Sequence, residues 1–119
     1  MSDPTPLDIL RGTKAALERN GWTQHDYIDG QQHANGTPIA DCRVDLNGAL
    51  RIATTGDPIG HDSRTASEAR ALLLRLIGET GSPYMGLASW NDEDDRTVED
   101  VYTLLDTAIK HAEAGGHHA

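Results

Sequence analysis

Three stretches of this chain repeat apolar residues at intervals of three and four, and each opens on its own starting signal. That pairing narrows the fold more than any single motif does, because such a period buries one continuous face only in a helix. In the first stretch, Thr5-Pro6-Leu7-Asp8 supplies an N-cap, a proline at the first helical position and an acid that answers the cap. Leu7, Leu10 and Leu17 follow, widened by Ile9 and Ala16, up to Asn20-Gly21, where the glycine is expected in the left-handed closing position. Thr65-Ala66-Ser67-Glu68 reads as a capping box ahead of Ala69, Leu72, Leu73, Leu76 and Ile77, with Gly78 and Gly81 as the stop. Thr97, answered by Asp100, opens the third, which carries Val101, Leu104, Leu105, Ala108, Ile109 and Ala112. Lys110 and His111 suit the end of its dipole, and Gly115-Gly116 stops it. Between the last two, Ser82-Pro83 opens a short helical piece running towards Trp90.

The rest is less regular. Residues 22–41 hold Gly30, Asn35-Gly36 and Pro38 without a sustained period, so they read as a long loop with a short extended piece, pinned by Trp22 and Tyr27. Residues 42–54 admit two readings. Cys42, Leu46, Ala49, Leu50 and Ala53 share a helical face, whereas Asn47-Gly48 is a turn signal that would fold the stretch into a hairpin. Helix is preferred, because a lone hairpin among helices leaves bare edges. The expected fold is therefore mainly α: a small orthogonal bundle of four to five helices with a long irregular loop, a short β-hairpin at 42–54 being the alternative. One globular domain at 1–114 and a flexible tail at 115–119 complete the expectation. With no Phe, two Trp and three Tyr, the interior must be filled by leucine, isoleucine and alanine, which favours close helix packing.

Net charge is −9, from 19 acids against 10 lysines and arginines, a balance that repels phosphate backbones and argues against nucleic-acid binding. It suits solubility, or docking to a partner with a basic surface. Cys42 is the sole cysteine, so an internal disulfide and a cysteine-based zinc site are ruled out, and a buried core thiol is expected. No leader-like or membrane-spanning run is visible, and a cytoplasmic, membrane-free protein is the expectation.

Motifs that carry chemistry are sparse. The six acids between Asp92 and Asp100 fail the calcium-loop pattern, since Thr97 and Thr103 stand where a glycine and a glutamate belong. Instead Glu99 and Asp100 fit the first turn of a helix, Asp92 to Asp95 a solvated approach, and Trp90 an anchor whose indole N–H finds an oxygen. Among the histidines only His25 beside Asp26 and His61 beside Asp62 form pairs worth testing, and none has zinc-site spacing. No serine or cysteine sits in a nucleophile setting, and "GDPIGHDS" lacks the lysine of a phosphate loop. No metal and no cofactor is expected.

"GWTQHDYID" (21–29), "LNGALRIA" (46–53) and "WNDEDDRTVEDVYTLLDTAI" (90–109) resemble the blocks of a family of small proteins of unknown function from actinobacteria and their phages. The resemblance implies a framework built on Trp22, Gly48 and Trp90, and a helical "LNGALRIA". Members often carry a cysteine shortly before the glycine-alanine pair, where this chain has Asp45, which implies no required thiol.

Two functional classes follow. The first is a small acidic protein-binding or regulatory module, of the kind a phage uses as an accessory protein. The alternative is a small enzyme or ligand-binding domain with a site near the 22–41 loop and Trp90. The residues expected to form a pocket or interaction site are Trp22, His25, Tyr27, Trp90, Asn91 and Asp92. A homodimer through leftover apolar helix surface is a further option.

Overall fold

A computed structural model describes residues 3–78 and 82–115; the stop at Gly81 and residues 116–119 of the tail expected at 115–119 lie outside them, while Gly115 is the last residue of the final helix. Among the described residues, six α-helices run in the order α1 (Pro6–Asn20), α2 (Gly30–Ala34), α3 (Leu46–Thr55), α4 (Arg64–Ile77), α5 (Pro83–Asn91) and α6 (Val98–Gly115), with one 3-10 turn at Ile39–Asp41. This is one helix more than the expected four to five. The addition is α2, inside the stretch read as irregular, which Asp29 starts by accepting the Gln32 amide at 3.1 Å.

Helix starts follow local chemistry. Thr5 and Asp8 close a capping box on α1, and Thr97 and Asp100 exchange the same pair of bonds, at 3.0 and 3.2 Å, ahead of α6. The cap of α4 differs from the expected one: Ser63 accepts the Ala66 amide at 3.0 Å, and Thr65 already lies inside the helix. Gly78 ends α4 in the left-handed conformation, but Gly21 at the end of α1 has φ 92° and ψ 165°, a turn into extended chain.

The hairpin alternative for 42–54 is excluded. Leu46 to Thr55 are helical, and Asp45 accepts the Gly48 amide at 2.7 Å as its N-cap. Cys42 is therefore off the helix, buried and facing the Pro38 carbonyl at 3.5 Å, with burial pushing its thiol up. The chain just before α3 is extended and paired on both sides. Val44 bridges Trp22 in parallel and Ile28 in antiparallel fashion. The bonds are Val44 N–H to Gly21 (3.0 Å), Thr23 N–H to Val44 (2.9 Å), Asp29 N–H to Arg43 (2.8 Å) and Asp45 N–H to Tyr27 (3.2 Å). The bare edge that disfavoured a hairpin is avoided, because residues 22–29 wrap around a single extended segment.

The core gathers Leu10 and Leu17 of α1, Leu46 and Leu50 of α3, Leu73 of α4, Leu87 of α5, and Val101 and Leu105 of α6. α1 packs chiefly on α3 and also meets α4 and α6. The α1–α3 approach is close, since a Cβ on Gly12 would lie 2.9 Å from that of Ala53. The buried face of α4 is Ala66, Ala69, Arg70 and Leu73, which leaves Leu72, Leu76 and Ile77 of the expected stripe half-buried.

Gly48 sits where α3 passes under the 22–29 segment, and a Cβ there would fall 2.4 Å from the Tyr27 carbonyl oxygen and 3.0 Å from the Val44 Cβ. Helix propensity alone favours alanine at such a position by about 1 kcal/mol. Because the obstacle is backbone, Gly48→Ala is expected to destabilise by about 2 kcal/mol instead. Urea denaturation of the two proteins checks the sign.

Candidate functional site

The C-terminal end of α5 is where the chain's separate blocks meet. Asn91, fully buried, uses both ends of its amide. Its Oδ1 accepts the Trp22 indole Nε1–H at 2.7 Å and the Leu46 N–H at 3.2 Å. Its Nδ2 donates to the Thr23 carbonyl at 3.1 Å and to Asp92 Oδ1 at 3.0 Å. Gln24 Nε2 donates to the carbonyls of Asn91 (3.1 Å) and Glu93 (2.9 Å), and the His25 N–H donates to Asp92 Oδ1 at 2.8 Å. His25 has φ 75°, a left-handed conformation that costs a residue with a Cβ about 1 kcal/mol, and Asp92 fixes its amide there.

Beyond this junction the acidic run divides. Asp92 is half-buried and engaged as described, while Glu93 forms an ion pair with Arg96. Arg96 also donates from Nε to the Trp90 carbonyl at 2.9 Å and lies over the Trp90 ring, 3.8 Å from its centroid. Asp94 and Asp95 are exposed. Ser89, Asp92 to Asp95 and Arg96 line an open depression of about 550 Å³.

A second set of buried polar groups lies behind the junction. Asn47, fully buried on α3, donates to the Tyr84 carbonyl at 3.0 Å and accepts from Arg70 Nε at 3.0 Å. Arg70 then grips Asp62 through two bonds, of 2.7 and 3.1 Å, and these hold the Asp62 carboxyl below its ordinary range. Arg51 stands over the Tyr84 ring, 4.9 Å from its centroid, and its buried Nε reaches no closer than 3.7 Å to Asp62. Asp45 is 2% exposed. Burial is the main cause that raises its carboxyl to about 7; the Asp92 and Asp26 charges add, and the Gly48 amide and Arg51 oppose.

Of the expected site residues, Trp22, His25, Asn91 and Asp92 come together through direct hydrogen bonds. Tyr27 joins them by its backbone, accepting the Asp45 amide. Trp90 is the correction: the indole bonded to a side-chain oxygen is that of Trp22, and half-buried Trp90 serves as a platform for Arg96. Neither histidine pair forms, because Asp26 takes the Tyr27 amide and Asp62 takes Arg70. Among the described residues, no group of three or more histidines, cysteines and acids could hold a metal ion, and no helix is long and apolar enough to cross a membrane. Asp45, Asn47, Arg51, Arg70 and Tyr84 were not signalled by the sequence. Only Asp45 had a readable cue, an N-cap residue just before an apolar helix.

Two predictions follow from this geometry. Asn91→Ala strands the Trp22 indole and the Leu46 amide in the interior and is expected to cost about 3–5 kcal/mol, measurable by urea denaturation. For Asp45, the native carboxyl at about 7 lies above its ordinary value of 3.8. Between those values the folded chain keeps a proton that the unfolded chain has lost, so this group's contribution to stability falls as pH rises through the window and is constant above it. Asp45→Asn keeps a good cap and removes the charge. It should flatten that fall and stabilise the protein at pH 8 by roughly 1–3 kcal/mol, as read from melting curves at both ends of the window.

No curated protein and no solved structure matches the chain. A family model described as "Family of unknown function (DUF6197)" matches residues 1–111. The three stretches on which the resemblance rested are those that meet at Asn91, and the chain belongs to this family of unknown function.

Proposed function

We propose that the protein is a small acidic binding module that docks a partner with a basic surface through residues 92–95. The observation that carries this reading is the state of Asp94 and Asp95. Both are exposed beside the depression and have no hydrogen-bond or ion-pair partner among the described residues, while their neighbours hold the loop rigid. Gln24 grips the carbonyls of Asn91 and Glu93, and Arg96 clamps the far side on Trp90. A loop already held in place loses little freedom on docking, and a net charge of −9 draws a basic partner in. In its finer form, the module regulates a protein partner as a phage accessory protein regulates a host factor.

A second reading, a small-ligand site or enzyme where Trp22, His25 and Asp92 meet, is favoured by the bond from the His25 amide to Asp92. It is weaker because Asp92 Oδ1 already accepts two donors and the Trp22 indole N–H is taken by Asn91.

The test is titration of a labelled lysine-rich peptide against the wild type and the Asp94→Asn/Asp95→Asn double variant. The variant is expected to melt within about 0.5 kcal/mol of the parent, since neither side chain supports the fold. The wild type should bind, lose roughly tenfold in affinity from low to physiological salt, and lose a similar factor in the variant. Equal binding by the two proteins would overturn the assignment.

A further inference from the structure

We propose that the junction of residues 22–29 with α3 and α5 is a proton-controlled latch: neutral Asp45 holds the segment closed on the helical body, and ionised Asp45 drives it outward. The inference rests on Asp45 and is independent of a partner at the acidic loop.

Asp45 occupies the point where the segment, α3 and α5 touch. Its backbone N–H holds the Tyr27 carbonyl at 3.2 Å, and its Oδ1 caps α3 at 2.7 Å from the Gly48 amide. Its Oδ2 accepts no hydrogen bond from any described residue, and the whole residue is 2% exposed. A carboxyl this enclosed, with the Gly48 amide as its one described donor, is poorly placed to carry a charge.

Two further carboxylates are tied to the same point. Asn91 takes the N–H of Leu46, the residue after Asp45, and donates to Asp92 Oδ1, which sets Asp92 at the end of α5 beside Asp45. Asp26 receives the amide of Tyr27, whose carbonyl Asp45 holds. The charged and titratable groups facing Asp45 are thus Asp26 from the segment, Asp92 and Tyr84 from α5, and Arg51 from α3. Arg51 is the cation of the set, and Asp62 and the Tyr84 ring share it. The Asp45 carboxyl titrates at about 7 in this setting, inside the ordinary physiological range.

The segment is the part free to yield. Once Asp45 is charged, repulsion falls on Asp26 and Asp92, and Asp92 is the group that fixes the His25 amide. Swinging residues 23–27 outward carries Asp26 away from Asp45 and releases His25 from its positive φ of 75°. The leucine core between α1, α3 and α6 takes no part, so the opening is local.

The experiment is a pH titration of the ¹⁵N-labelled full chain from about pH 5.5 to 8.5, following the Trp22 indole N–H and the Thr23 and His25 amides. These signals are expected to move together with one midpoint near 7. Asp45→Asn should abolish the transition and hold the closed positions throughout. His25→Gln should retain it, which separates it from imidazole titration. Asp26→Asn, at an exposed site, should shift the midpoint to lower pH, and it decides the matter should Asp45→Asn fail to fold. The latch is overturned by the absence of a shared transition in the wild type, by its survival in Asp45→Asn, by its loss in His25→Gln, or by an unmoved midpoint in Asp26→Asn.

Discussion

The arrangement of this protein depends on one buried amide. Asn91 satisfies two donors and two acceptors at once, and those four partners belong to stretches far apart in the chain. Its Oδ1 fixes where α3 begins and where the Trp22 indole lies, and its Nδ2 holds the start of the 22–29 segment and the turn out of α5. Leucine packing alone would leave these irregular stretches free to shift, because apolar contacts are not directional. A buried amide is directional, and each misplaced partner would leave a polar group unpaired at a cost of about 1–3 kcal/mol. A chain without phenylalanine thus positions its loops by hydrogen-bond geometry more than by side-chain bulk.

The same logic extends through α3. Asn47 stands one residue past the Leu46 amide that Asn91 holds, and it leads through Arg70 to Asp62. Burying a guanidinium is expensive unless its donors are used, and Arg70 uses three of its nitrogens on Asn47 and Asp62. Arg51, the second cation at Asp62, gets the remainder of that carboxylate and an aromatic face. Two arginines sharing one acid explain why Arg51 Nε has no hydrogen bond while Arg70 is saturated.

Much of the helical frame was legible because its signals are local. Thr5 with Asp8 and Thr97 with Asp100 act within one turn, and the glycine at 78 closes α4 as its position suggested. Errors arose where two local signals competed. Thr65 with Glu68 imitates a capping box, yet Ser63 wins because Arg64 and Thr65 are already helical. Cys42 fits the spacing of the α3 face, yet Asp45 caps the helix three residues later, and the chain before it pairs with residues 22 and 28. Position 91 was picked out as a pocket or interaction residue, but its role could not be read, because its partners at 22 and 46 lie 69 and 45 residues away. Trp90 was expected to find an oxygen for its indole, and the arginine six residues later took its ring as a platform.

That division also ranks the functional readings. A catalytic or ligand-binding centre needs polar groups that are reachable and uncommitted. At the junction the Trp22 indole, the Asn91 amide and Asp92 Oδ1 are all engaged in holding the chain together, and Asn91 is wholly enclosed. From Asp92 to Asp95, commitment to the fold falls with distance from Asn91. Asp92 is half-buried and bonded, Glu93 is exposed but paired with Arg96, and Asp94 and Asp95 face solvent beside the depression. Charge free to meet another molecule therefore begins where the structural work of the run ends, and this gradient is what supports the proposed docking reading over the ligand-site one.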